Sequence, residues 1–170
     1  MKDSDNRYDL ERRMQLLSWQ QPNVLNWSQI LVNSYKRLLG KELVPNDTDP
    51  QNLSRTLFFA PFVIVSHGTE DDPILNYGNQ IALQLWETSW KELTKMPSRL
   101  TAETVNRETR AQMLERATKQ GYIDDYQGIR ISSTGKRFAI AKAIIWNLSD
   151  RDGNYCGQAA TFSQWHHLDD

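Results

Sequence analysis

The sequence predicts an α+β fold, a five-stranded antiparallel sheet with helices on one face, preceded by two N-terminal helices. Three observations carry that expectation. Apolar side chains recur at helical spacing before residue 40, residues 58–66 form a continuous apolar run, and beyond Gly121 the apolar period shortens to two.

Leu10, Met14 and Leu17 fall at i, i+4 and i+7, a narrow stripe on a first helix over residues 6–19, and Pro22 ends it or starts the next. Trp27, Ile30, Leu31, Ser34, Tyr35 and Leu38 continue helical spacing up to Gly40, a suitable left-handed cap. Pro45-Asn46-Asp47 and Asp49-Pro50 read as a linker, because fixed proline φ angles and turn-forming side chains interrupt the pattern. Residues 58–66 are rich in aromatic and β-branched side chains and suit a strand covered on both faces. After the polar turn from His67 to Pro73 comes a short second strand, residues 74–77. Asn79 can cap a short helix carrying Ile81, Ala82, Leu85 and Trp86, and Ser89-Trp90-Lys91-Glu92 has capping-box spacing for another. Ala111, Leu114 and Ala117 mark a long helix from about residue 102 to Gly121. Ile123, Ile129 and Ile131 then share one parity, and Phe138, Ile140, Ile144, Trp146 and Leu148 alternate along a long strand. Asp150-Arg151-Asp152-Gly153 turns the chain into a last strand over residues 155–165. The expected organisation is a helical extension and linker over 1–56, a domain over 57–165 and a tail over 166–170.

Composition excludes several classes. The 170 residues balance 20 Lys and Arg against 21 Asp and Glu, a net charge of -1, so no global field favours direct nucleic-acid binding. The longest apolar run, residues 57–65, is far short of the roughly 20 residues of a membrane helix, so no membrane association is expected. The acidic start Met1-Lys2-Asp3-Ser4-Asp5 is unlike a signal peptide, and the single Cys156 supplies no disulfide framework. The expected location is the cytoplasm. Six Trp, six Tyr and five Phe give a core enough buried area.

The order of strands and helices matches the PAS arrangement, in which sheet and helices enclose a small-molecule cavity. Asp72-Pro73-Ile74-Leu75-Asn76-Tyr77-Gly78-Asn79 resembles the PAS stretch where a turn leads into a strand ending in Asn, and the turns at Ser133-Thr134-Gly135 and Asp150-Arg151-Asp152-Gly153 fall where PAS domains place their late hairpins. A closer resemblance is to the MEKHLA domain, a PAS-related family of cyanobacteria and of the C-terminal end of plant class III homeodomain-leucine zipper transcription factors. Val65-Ser66-His67-Gly68-Thr69-Glu70, Met96-Pro97-Ser98-Arg99-Leu100, Tyr122-Ile123-Asp124-Asp125-Tyr126, Gly128-Ile129-Arg130-Ile131-Ser132-Ser133-Thr134-Gly135 and Gly157-Gln158-Ala159-Ala160-Thr161-Phe162 carry it, and the cyanobacterial type is the nearer match. The resemblance implies a sensory or interaction module and no catalytic residue.

A covalent flavin or thioester chromophore of PAS type needs a cysteine facing the cavity, whereas Cys156 lies on the last expected strand. Haem through a long-helix histidine is disfavoured, because residues 102–121 contain no His. His67, beside Glu70, Asp71 and Asp72, reads as a ligand contact, a pH-responsive group, a metal ligand or simply a turn histidine bonded to the hairpin backbone. His166-His167 with Asp169-Asp170 reads as a frayed tail before it reads as a metal site. Ser66, His67 and Asp72 could be assembled into a triad, but no Gly-x-Ser-x-Gly elbow supports one, and no phosphate loop or dinucleotide fingerprint occurs.

Candidate cavity walls are Trp86, Trp90, Met96, Leu100, Tyr126, Ile140, Trp146 and Phe162, with Asn79, Arg99, Arg130, Lys142 and Gln158 as directing polar groups beside His67. Lys142 shares parity with Phe138, Ile140, Ile144 and Trp146, so it points to their face unless a bulge shifts the register. Arg99, Arg107, Arg110, Arg116 and Lys119 alternate with acids and read as a solvated helix face. The apolar stripe on the N-terminal helices needs a cover, which makes self-association as a homodimer an expectation. The sequence therefore points to a non-enzymatic, PAS-like sensor with an unidentified small molecule and an unidentified protein partner. The alternatives are a ligand-free dimerisation scaffold and, behind it, an enzyme using His67 as base.

Overall fold

The computed structural model describes residues 7–10, 13, 17–103 and 106–168. Residues 7–10, 13 and 17 are helical, Leu10 and Leu17 are exposed, and Met14 of the expected stripe lies outside the described residues. After a 3-10 turn, Ser18–Gln20, helix α1 runs Pro22–Leu39. Pro22 opens it at the position where a missing N–H is harmless, and Gly40 closes it at φ 72°. Its buried face is Val24, Leu31, Val32 and Tyr35.

The expected linker is only a short lead-in to a third N-terminal helix, α2, Pro50–Phe58. Asp49 and Pro50 act there as N-cap and first residue, the Asp49 carboxylate accepting the amides of Gln51 at 2.9 Å and Asn52 at 3.3 Å. Phe58 therefore ends a helix, and strand β1 is the shorter Val63–His67.

The rest follows the expected order. Strand β2 is Leu75–Gly78, α3 is Gln80–Leu85 capped by Asn79, and α4 is Trp90–Leu93 capped by Ser89. A 3-10 turn, Ser98–Thr101, leads towards α5, Arg107–Gln120. Strands β3, Tyr122–Ile131, β4, Arg137–Ser149, and β5, Tyr155–Phe162, complete a sheet of order β2-β1-β5-β4-β3 in which all pairings are antiparallel. A sixth strand, β6, Gln164–His167, pairs with the first part of β4.

The N-terminal helices cover one face of the sheet, while the domain's own helices α3 and α5 lie together on the other, as expected. On one face α1 and α2 bury Leu31, Tyr35, Leu53 and Leu57 against Ile64, Trp146, Leu148 and Ala159. On the other, Ala82, Trp86 and Ala117 pack on Val63, Phe138, Ile140, Ala143, Ile145 and Phe162. Polar clasps fix α1: Trp27 Nε1 donates to Ser66 Oγ at 2.9 Å, and Ser34 Oγ accepts the Ser149 amide at 3.0 Å. The α1 part of the stripe that called for a partner is thus covered by the chain's own sheet, while Leu10 and Leu17 of the first helix are exposed.

Parity changes inside β4. Phe138 and Ile140 lie in the same cluster as Ala143 and Ile145, while Ile144, Trp146 and Leu148 face the N-terminal helices. Lys142 is the switch, with φ 53° and an exposed side chain. The partner strand breaks opposite it, β5 ending at Phe162 and β6 starting at Gln164. A left-handed conformation costs a residue with a Cβ about 1–2 kcal/mol relative to glycine. Lys142→Gly should therefore unfold at equal or higher urea concentration, and Lys142→Val should unfold at lower urea concentration, because a β-branched side chain fits positive φ worse than lysine does. Equal stability for the valine variant would show that the bulge is not held in this conformation. Strand β3 slips in the same way on either side of Tyr126, burying Ile123, Tyr126 and Arg130 and leaving Ile129 and Ile131 half-buried.

Candidate functional site

Between the sheet and α5 lies a cavity of about 60 Å³, with Trp86 and the Ser98–Thr101 turn contributing to its wall. The strands present Val65, Ala143, Ile145, Ala160 and Phe162 to it, and Leu114 closes it from α5. Trp86 meets Phe138 and Phe162 edge to face, at centroid distances of 5.3 and 6.2 Å, and its buried Nε1 has no acceptor among the described residues. Such a volume holds a few water molecules or a ligand of a few non-hydrogen atoms.

His67 enters the cavity from the end of β1. The strand next to it can approach because of Gly157, at φ 145°, where a Cβ would lie 2.0 Å from the His67 carbonyl oxygen. Nδ1 of His67 donates to the Gly68 carbonyl at 2.8 Å, which fixes that nitrogen as the protonated one of the neutral ring. Burial lowers the imidazole pKa, followed by the opposing pull of the Gly68 carbonyl; the Arg110 charge lowers it further, and Glu70 and the Gln158 side chain raise it. Gln158 Nε2 donates to the Leu114 carbonyl and Thr118 Oγ1, anchoring β5 to α5.

A base with a folded pKa below its unfolded value near 6.5 binds fewer protons in the native state, so stability falls as pH drops through about 6.5. Acidification from pH 7 to 5 should lower the urea midpoint of the wild type, and His67→Gln should flatten that slope. An unchanged slope would mean that His67 titrates as in the unfolded chain.

Two arginines face the same space. Arg130, 7% exposed, donates to the Tyr126 hydroxyl and to the Ile129 carbonyl, and its guanidinium stands 5.1 Å from the Tyr126 ring centroid. Arg110 donates to Ser98 Oγ at 2.9 Å, while its buried Nε has no partner among the described residues. Burial first, and then the Arg130 charge, hold the Arg110 pKa down at about 10.

Of the side chains expected at the site, His67, Trp86, Tyr126, Ile140, Arg130, Gln158 and Phe162 border this cavity. Asn79, Trp90, Arg99, Lys142 and Trp146 do not. Asn79 is a buried cap whose side chain bonds the backbone of Leu57, Phe62, Ile64 and Ala82. Trp90 packs on Phe58 and Tyr77, behind β2. Arg99 is an exposed partner of Asp72, at 3.1 Å. The Lys142 bulge turns that side chain to solvent and sends Trp146 to the opposite face, where its Nε1 donates to the Leu31 carbonyl at 3.3 Å. Met96 joins a cluster with Phe58 and Leu93, and Leu100 is 40% exposed.

The triad drawn from Ser66, His67 and Asp72 is not assembled: Ser66 Oγ is engaged by Trp27 and Asn76, and Asp72 by Arg99. Cys156 packs with the cluster beneath α1, away from the cavity, and its Sγ donates to the Asn154 carbonyl at 3.2 Å. His166 and His167 belong to β6, and Asp169-Asp170 lie outside the described residues. Arg110, Ser98, Thr101, Ala143 and Ile145 are among the further residues that line the cavity without having been expected there. The missed signal for Arg110 is its spacing, since Arg110, Leu114 and Ala117 fall at i, i+4 and i+7 on the sheet-facing side.

Comparison with known proteins agrees with this architecture. The family model described as "MEKHLA domain" matches residues 25–167. Homeobox-leucine zipper protein HOX10 of Oryza sativa subsp. indica is 22% identical over 145 residues, covering 85% of this chain but only 17% of that protein. The PAS domain of a Colwellia psychrerythraea protein superposes with a TM-score of 0.58 at 12% identity, over 69% of this chain and 95% of that one. The light-state dimer of the fungal blue-light photoreceptor Vivid gives a TM-score of 0.50 at 14% identity, over 71% of this chain and 81% of that one. At these identities the structural likeness concerns the fold.

Proposed function

The chain belongs to the MEKHLA domain family, and on that premise we propose that it is a PAS-like sensory module that binds a small molecule and acts through protein association, without catalysis of its own. The observation that carries the proposal is the cavity: it lies between sheet and α5 and combines apolar walls with His67, Arg110, Arg130 and Gln158. At about 60 Å³ it takes a small ligand and not a tricyclic flavin, which would require the core to repack. No helix among the described residues is long and apolar enough to cross a membrane, and we place the module's action in the cytoplasm. Self-association, as in the Vivid light-state dimer, would use side chains other than the stripe of α1, such as the exposed Phe59, Leu100 and Tyr155.

The small volume also favours a second function, a scaffold whose cavity is already filled by its own side chains. Ala143→Leu separates the two by adding three carbon atoms to the cavity wall. Protein purified without denaturant, then unfolded and desalted, should release a small molecule detectable by mass spectrometry, and the Ala143→Leu variant should release none. A wild type that releases nothing, together with a leucine variant that folds and associates as the wild type does, would favour the scaffold.

A further inference from the structure

Arg110 and Arg130 project into one cavity from opposite walls, α5 and β3. None of the ion pairs among the described residues includes either of them. Several other cations of this region have a carboxylate partner, Arg99 with Asp72, Arg116 with Asp125 and Arg137 with Glu103, while Arg107, whose charge also bears on Arg110, donates to the Ala102 carbonyl. A guanidinium does not shed its proton at physiological pH, so two of them withdrawn from water without an acid carry an uncompensated desolvation penalty. The groups they donate to are neutral, the Tyr126 and Ser98 hydroxyls and the Ile129 carbonyl, and Arg110 Nε has no acceptor among the described residues.

We propose that this cavity is built for a small oxyanion, an organic carboxylate or an inorganic oxyanion of a few non-hydrogen atoms, held between Arg110 and Arg130. The inference deepens the ligand-binding function proposed above and rests on it. The oxyanion supplies an acceptor for Arg110 Nε and the negative charge that the cavity lining lacks, and two planar guanidinium forks are the donors that match its geometry. Apolar neighbours such as Ala143, Ile145 and Phe162 limit its size and exclude bulk water, which strengthens the charge pairing. His67, neutral and donating to Gly68, adds no charge of its own.

Thermal unfolding in sodium formate, acetate, nitrate or phosphate, each compared with sodium chloride at the same ionic strength, tests the proposal. At least one oxyanion should raise Tm saturably, by several degrees once its concentration is far above Kd. Formate or acetate acting alone would identify an organic carboxylate, and nitrate or phosphate an inorganic ion. Arg110→Met and Arg130→Met should each abolish the shift. Arg110→Gln, which keeps an amide donor at a partly buried helix position, provides a variant that folds should Arg130→Met not. Unshifted Tm in all four salts, or a shift that survives loss of Arg110, would overturn the proposal. If the purified protein releases a neutral molecule while no oxyanion stabilises it, the oxyanion fails and the cavity remains a ligand site; if it releases nothing and no salt acts, both fail.

Discussion

Replacing Asn79 by alanine is expected to remove roughly 3 to 5 kcal/mol of stability, measured as the loss of unfolding free energy in urea. The side chain is fully buried and makes four backbone hydrogen bonds. Its amide donates to the carbonyls of Leu57 at 3.2 Å and Phe62 at 2.7 Å, while its oxygen accepts the amides of Ile64 at 3.1 Å and Ala82 at 3.2 Å. One residue thereby joins the end of α2, the entry to β1 and the first turn of α3. Each buried group left without a partner costs about 1–3 kcal/mol, N–H groups more reliably than carbonyls. Asn79→Asp discriminates the mechanism, since the carboxylate keeps the two acceptor bonds and loses the two donors. Its burial raises its pKa, so the aspartate variant should be least stable at neutral pH and partly recover towards pH 4, where the protonated acid can donate once. A loss below about 1 kcal/mol for alanine would mean that water or neighbouring groups replace the clasp.

Trp146→Ala should cost about 3–5 kcal/mol and release α1 from the sheet. Trp146 is inaccessible to solvent, meets Tyr35 edge to face at 5.1 Å and holds the Leu31 carbonyl through its indole N–H. Trp146→Phe keeps most of the volume and drops the hydrogen bond, so it should lose no more than about 1–2 kcal/mol. Hydrogen exchange locates the effect: in the alanine variant, amides of α1 should lose protection before those of α3 and α5. Uniform loss over the whole chain would instead make the N-terminal helices an inseparable part of the sheet's folding unit.

The balance between local signals and tertiary packing explains which features the sequence revealed. Helix α1 was legible because its apolar spacing, its proline start and the Gly40 stop agree. Helix α2 was not, because Asp49-Pro50 serves a turn and a helix start equally well; the discriminating signal was Leu53 and Leu57 at i and i+4. The parity of β4 failed at Lys142, where a left-handed residue that is not glycine leaves no mark in the sequence, and the misassigned Lys142 and Trp146 are two consequences of that one bulge. His67, Tyr126, Arg130, Gln158 and Phe162 reached the cavity side as strand order and the family resemblance implied. Arg110 was hidden by its charged neighbours, since alternating charge normally marks a solvated face and here one cation of the series turns inward.

The most direct test of the cavity as a ligand site is a two-dimensional 1H–15N NMR titration with small oxyanions at constant ionic strength. Saturable shifts concentrated on the amides of Ser98, Thr101, Arg130 and Gln158, and absent from the surface ion pair of Arg99 with Asp72, are the expected result. Shifts that fail to saturate, or that spread over exposed cations while the cavity amides stay fixed, would contradict it.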